Sequence, residues 1–463
     1  MIKKISDYIV ICTLFMIFFD VTFANERNTP PAYTKNHMTA QKKSRNIQEV
    51  KELRSYRGIR FIYAKDTNSQ LVHIKIAFNN SGAAYQELSK AGVPYLYSST
   101  VFKGCGKYSS AQFERETSTE MINIFCAAGI DRVRFHLTAP LLTIDKGVSL
   151  LNAAICDPKF EKEKVKISQE SVIAILQDYS INRNLVAIYT IIPSLLFKSH
   201  SYASGLFGSA ENFIKLNVDD LQQYRKNFII ANNAEGCIFG NISEEKAKSL
   251  IDKIFENVND GKISENSVED IQPAITKFQK KYFVKGSGSS IIFALKGVKI
   301  KSKDRFAARI FTTIFGEGSV FKGRLLGILR GKGYIYSGSI STINYDHSDY
   351  IIGILQTDNK KVDQAISALK DIIRDFREKG ITETELQFAK KLLKGSTVIG
   401  LRNSDNLSGF CFSAMLKGLG LNALSDFLNG IDNVTLSEVN MFCKNNLNEN
   451  EIPFIIMGGN ANE

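Results

Sequence analysis

Five histidines and seven cysteines occur in 463 residues, with no tryptophan. Imidazole is the side chain best suited to hold zinc or move a proton near neutral pH, so its placement decides which local chemistry is open. The histidines stand at His37, His73, His136, His200 and His347, and no two lie within thirty residues of each other. One helix can offer two imidazoles to one metal only at i, i+3 or i, i+4 spacing. Every local His-pair zinc signature is therefore absent. Activated serine needs a base in reach and a third group to orient it, and the chain has no G-x-S-x-G elbow. Cys12 lies in an apolar leader. Cys105, Cys126, Cys156, Cys237, Cys411 and Cys443 are scattered singly with no C-x-x-C. Several sit in apolar runs such as Ile122–Ala128 and Gly236–Phe239, which points to buried free thiols rather than a disulfide framework.

The elements that would position such groups begin after a leader. Lys3 and Lys4 precede an apolar run, Tyr8–Phe19, and Thr22 and Ala24 place small side chains before a cut at Asn25. Residues 1–24 thus read as a secretory signal peptide, too short for the ~20 apolar residues of a span. The expected location is exported, periplasmic, with membrane contact only through this peptide. Residues 25–50 are polar and aperiodic, a tether. The composition of the whole chain, 44% hydrophobic and 23% charged, excludes a disordered, collagenous or multi-span membrane protein. The net charge of +12 is spread along the chain without a Lys/Arg block interleaved with aromatics, so no nucleic-acid partner is expected.

The polar dip Gly261–Asp270 divides the rest into 51–262 and 271–463. Val72–Phe78 and Ser290–Leu295 alternate as strands, whereas Thr143–Cys156 and Val362–Lys379 carry helical periodicity. NVDDLQQYRKNF (217–228) matches TLSEVNMFCKNN (435–446) at an offset of 218. Both open with a capping box, Asn217 with Asp220 and Thr435 with Glu438. At the same offset Cys237–Gly240 and Ile455–Gly458 are apolar strands ending in glycine. The expected fold is α+β, two similar sheet-plus-helices halves produced by duplication.

Within the first half, AGVPYLYSSTVFKGCG (91–106) resembles the zinc-binding helix of the pitrilysin/insulinase metallopeptidases, which include mitochondrial processing peptidase. Gly92, Phe102, Lys103 and Gly104 fit that frame. In the family two His ligands lie four apart on one helix face and a Glu between them activates zinc-bound water. Here those positions are Tyr95, Ser99 and, for the base, Ser98. The family's third ligand, a Glu on a later helix, falls on Ile175, and Glu170 lies on a different turn face. The resemblance thus implies a clam-shell fold with a degenerate H-x-x-E-H and no zinc in this chain. Serines in vacated ligand positions, with no local base, are filler rather than nucleophiles.

The segment FGEGSVFKGRLLGILRGKGYIYS (315–337) resembles the family's second landmark, a glycine-rich loop, a helix and a strand. Gly316, Gly318 and Ser319 match the loop, where the resemblance implies contact with extended peptide substrate. Arg324, Leu325, Leu329 and Arg330 match the helix, and Gly333 and Tyr336 the start of the strand. In the family the Arg/Tyr pair faces zinc across a chamber and stabilises the tetrahedral intermediate of peptide hydrolysis. Here the Arg330-to-Tyr336 interval is one residue shorter than usual. ITETELQFAKKLLKGS (381–396) and the last strand at Phe454–Gly459 extend the likeness to the C-terminus. The resemblance implies a non-catalytic subunit, with zinc supplied by a homologous peptidase partner and Arg330 and Tyr336 by this chain. A structural or peptide-binding homologue and an active zinc protease are the alternatives.

Overall fold

The computed structural model describes residues 49–264, 266–316 and 323–459. The expected signal peptide (1–24) and almost all of the expected tether (25–50) lie outside these residues. So do Gly318 and Ser319. Among the described residues no helix is long and apolar enough to cross a membrane.

Two sheets organise the chain. The first holds β1 (Lys51–Arg54), β2 (Arg60–Lys65), β3 (Leu71–Phe78), β4 (Asn123–Ala128), β5 (Val133–Pro140) and β6 (Ala234–Gly240). Their order is β1-β2-β6-β3-β5-β4. The second holds β7 (Gln279–Tyr282), β8 (Gly288–Lys296), β9 (Ser337–Asn344), β10 (Asp349–Asp358) and β11 (Phe454–Met457), in the order β7-β11-β8-β10-β9. Strand for strand, β2-β6-β3-β5-β4 and β7-β11-β8-β10-β9 are the same sheet. Each has one parallel pair, β2 with β6 and β7 with β11, and antiparallel pairs elsewhere. Ile62 pairs with Cys237 and Lys280 with Ile455, so both partners move by 218 between the halves. The offset seen in the sequence is the offset of the fold.

Local chemistry agrees with those elements. The capping boxes at Asn217/Asp220 and Thr435/Glu438 both form, and Thr382 makes a third with Glu385. The expected helices appear as Ile144–Cys156 and Val362–Lys379. The stretch Gly261–Asp270 carries neither helix nor strand among its described residues.

Each sheet packs its own helices on one face and a helix of the other half on the opposite face. Helix Ser404–Leu416 lays Leu407, Phe412 and Met415 on Ile62, Ala64, Ala77, Cys237 and Phe239 of the first sheet. Reciprocally, Ile292, Ala294, Tyr350, Ile352 and Ile455 of the second sheet join the apolar cluster of the first half. Their neighbours Ile291, Phe293, Leu295, Ile351 and Ile456 turn into the second half's own core. Strand β8 is apolar from Ile291 to Leu295 because both of its faces are covered there. Arg183 fastens this exchange, with Nη1 donating to the Gly288 carbonyl at 2.6 Å.

Candidate functional site

The helix that matches the zinc-binding frame spans Val93–Thr100, with Pro94 in its first turn, where a missing N–H costs nothing. Gly92 before it is sterically required. A Cβ there would lie 2.5 Å from the Phe207 carbonyl oxygen and 2.4 Å from the Phe213 ring. The glycine of the frame is thus explained by close packing of helix against loop, independently of any metal.

The side chains that the resemblance puts at the ligand positions are already engaged. Tyr95 packs edge-on against Phe207, ring centroids 4.7 Å apart, and burial pushes its phenol above the ordinary value. Ser98 Oγ donates to the Tyr95 carbonyl at 2.8 Å and Ser99 Oγ to the Leu96 carbonyl at 2.9 Å. Both hydroxyls satisfy their own helix, a local bond that serine makes readily. Ile175 faces the core from helix Lys162–Gln177, along the buried stripe Val165, Ser168, Val172 and Leu176. Glu170 is exposed on the other side of that helix, 4.0 Å from Lys166. Lys103 of the frame donates to Ser168 Oγ at 2.7 Å and ties the two elements together. A phenol, two engaged hydroxyls and a hydrocarbon do not suit zinc, which needs deprotonated or neutral N, S or O donors around one point. Among the described residues no three His, Cys, Asp or Glu side chains come together in a way that holds a metal.

The second landmark is built from helix Leu325–Arg330, wound as a π-helix, a tight turn and β9. The Tyr334 amide donates to the Leu329 carbonyl at 2.8 Å and the Gly333 amide to that of Arg330 at 2.9 Å. Gly333 sits at φ +67°, which only glycine adopts freely. Arg330 is exposed at the end of the helix. Tyr336, 61% exposed, directs its hydroxyl to Asp358 Oδ2 at 3.4 Å. Gly316, at φ +143°, closes helix Arg305–Phe315 at the start of the loop. Arg324 has a different task. Its Nε and Nη2 grip the two Glu385 oxygens at 2.7 Å each, and its guanidinium stacks 4.2 Å above the Phe376 ring. That arginine anchors the helix that carries Arg330.

One polar cluster escapes sequence reasoning. His73 and Lys75 on β3 are buried at the seam beneath helix Ser404–Leu416. Lys75 Nζ donates to Ser408 Oγ at 2.7 Å and also bonds the Asp405 carboxylate. His73 Nδ1 lies 2.9 Å from Thr138 Oγ1 and 3.6 Å from Asp405. Burial drives the His73 pKa down to about 4, beyond what the Asp405 charge restores. Strand alternation would have marked both residues as outward. The covering helix, far away in sequence, left no signal beyond Asn403 as its cap.

The sequence matches the family description "Insulinase (Peptidase family M16)" over residues 60–208 and "Peptidase M16 inactive domain" over 215–393. The chain is 22% identical over 398 residues to a protein of Helicobacter pylori (strain ATCC 700392 / 26695) described as non-peptidase homolog YmxG, covering 86% of this chain and 91% of that one. Its fold is similar to a peptidase M16 inactive domain from Pseudomonas fluorescens, with TM-score 0.78, 18% identity and coverage of 89% and 98%. It is also similar to the periplasmic protease PqqL of Escherichia coli, with TM-score 0.72 and 14% identity, over 94% of this chain and 49% of that one. The chain belongs to the insulinase family of peptidases as a member lacking the catalytic motif.

Proposed function

We propose that this chain is the non-catalytic subunit of an exported zinc metallopeptidase heterodimer. A homologous partner with an intact H-x-x-E-H supplies zinc and base. This chain lines the peptide chamber and offers Arg330 and Tyr336 to the tetrahedral intermediate, with the loop of Gly316, Gly318 and Ser319 against extended peptide. The observation that carries this reading is asymmetric loss. Tyr95, Ser98 and Ser99, expected at the metal and base positions, are packed or hydrogen-bonded within the protein, whereas Arg330 and Tyr336 stand at the surface. Export rests on the leader and draws support from the description of PqqL as periplasmic.

The test reconstitutes the purified chain with a zinc-bearing homologue. Alone it should hold no stoichiometric zinc and cleave no peptide. In the complex, Arg330→Ala or Tyr336→Phe should lower kcat about 10²–10³-fold with little change in KM. Full activity with both side chains truncated would overturn the assignment. The Tyr336–Asp358 contact supports a second reading, a peptide-binding homologue outside catalysis. Under it the complex keeps its kcat and only peptide affinity changes.

A further inference from the structure

The duplicated sheets differ at one place. In the first, β1 covers the free edge of β2, pairing antiparallel from Lys51 opposite Tyr63 to Arg54 opposite Arg60. In the second, the equivalent of β2 is β7, and among the described residues β7 is an edge strand with β11 on one side only. The Phe278 and Tyr282 carbonyls accept from the Phe454 and Gly458 amides of the β11 segment. By the two-residue alternation of a strand, the backbone of Gln279, Lys281 and Phe283 therefore turns to the other edge.

That edge is chemically distinct. The segment KFQKKYFVK (277–285) places Lys277, Lys280, Lys281 and Lys285 around it, all exposed. Among the described residues none of the four pairs with a carboxylate, whereas Lys51 and Arg60 of the first sheet have Glu244, Glu52 and Glu235. Phe283 stands 57% exposed beside them. This is a lysine block interleaved with aromatics, which the reading of the charge as evenly spread passed over.

We propose that the open edge of β7 takes up an extended, acid-rich segment of a partner protein as an added antiparallel strand. Backbone pairing supplies the geometry that β1 supplies in the other half, and the four lysines select the occupant. A second copy is disfavoured because it brings the same lysines to the edge. The chain's own residues 25–48 are disfavoured too, with Arg27, Lys35, Lys42, Lys43 and Arg45 against Glu26. The inference is independent of zinc, of Arg330 and of Tyr336.

The test measures fluorescence anisotropy of a labelled peptide alternating Glu and Val against the purified full-length chain, with a Lys/Val peptide as its counterpart. The Glu/Val peptide should bind, more weakly as salt rises, and the Lys/Val peptide should not. Lys280→Glu combined with Lys281→Glu takes the edge from four net positive charges to none and should abolish that preference. Lys281→Pro removes an outward amide while leaving the β11 ladder intact, so it should weaken binding about tenfold beyond Lys281→Gln, one backbone hydrogen bond's worth. Thermal melts of each variant establish that it folds. Binding indifferent to both the charge reversal and the proline would overturn the proposal. So would capture of an oligonucleotide or anionic vesicles with no capture of the Glu/Val peptide.

Discussion

Lys75, on the third strand of the first sheet, donates to Ser408 Oγ 2.7 Å away on a helix of the second half. The same ammonium holds the Asp405 carboxylate, and Ser404 beside it bonds Asp66 of the first half. A charged lysine that is almost fully buried needs such partners to be tolerated. The contact therefore reports that the two halves are folded onto each other through the open face of a sheet. Lys75→Met should leave Asp405 and Ser408 without their donor. About half of the Asp405 side chain still meets solvent, so the expected loss is about 1–3 kcal/mol. A urea titration checks it, and an unchanged midpoint would show that the seam does not depend on this bond.

Acid should weaken the same seam. The His73 pKa falls from 6.5 to about 4 on folding, chiefly through burial, with Lys75 adding to it and Asp405 and Asp66 opposing. Between those values the unfolded chain binds more protons than the folded one, so stability falls as pH falls, by up to about 3 kcal/mol. Burial raises the Asp405 pKa, but Lys75 together with His73 and His136 holds it below its ordinary 3.8, and it adds to the loss at still lower pH. Asp131 works in the opposite direction. Burial and the Asp346 charge raise its pKa, so its contribution is present in acid and fades as pH climbs above 3.8. Melting temperatures of wild type and His73→Gln should diverge as pH falls from about 6.5 to 4, the variant losing less. Parallel curves would mean that His73 does not carry the acid sensitivity.

The two arginines of the second landmark should separate cleanly. Arg324 is bidentate to Glu385, stacked on Phe376, and bonded to the Gly380 carbonyl at 3.0 Å. Arg324→Ala should therefore cost about 1.5–3 kcal/mol of stability. Arg330, exposed at the far end of the same helix, should cost less than Arg324 when replaced by Ala. Differential scanning calorimetry of both variants tells them apart. Equal destabilisation would make Arg330 a structural residue and remove it from the proposed chamber.

The sequence pattern made the halves legible because capping boxes and apolar strands are local signals, and two of them repeat at one offset. Thr435 and Asn217 cap their helices whatever lies around them. The seam was not legible because His73 and Lys75 read as the polar face of a half-buried strand. Only the distant helix Ser404–Leu416 makes that face an interior. The degenerate metal site stood between these cases. Tyr95 and Ser99 were placed by likeness to a family frame, but that their side chains are engaged with Phe207 and with Leu96 required coordinates.

The proposed frame predicts that a zinc site can be built at Tyr95, Ser99 and Ile175. Tyr95 and Ser99 are four residues apart on helix Val93–Thr100, the spacing that aims two ligands at one metal. Helix Lys162–Gln177, which carries Ile175, joins the same apolar cluster. Combining Tyr95→His, Ser98→Glu, Ser99→His and Ile175→Glu supplies three ligands and a base. Without metal, the Ile175→Glu carboxyl sits in an apolar stripe and should destabilise the chain. Zinc binds only the folded form and should return that stability, by about 2.7 kcal/mol at a hundredfold excess over Kd. The measurement is melting temperature against zinc concentration, with metal content determined after gel filtration. The triple variant that keeps Ile175 should show a smaller zinc-dependent rise. A folded quadruple variant that gains no stability from zinc and retains none would mean that Ile175 is not the third-ligand position.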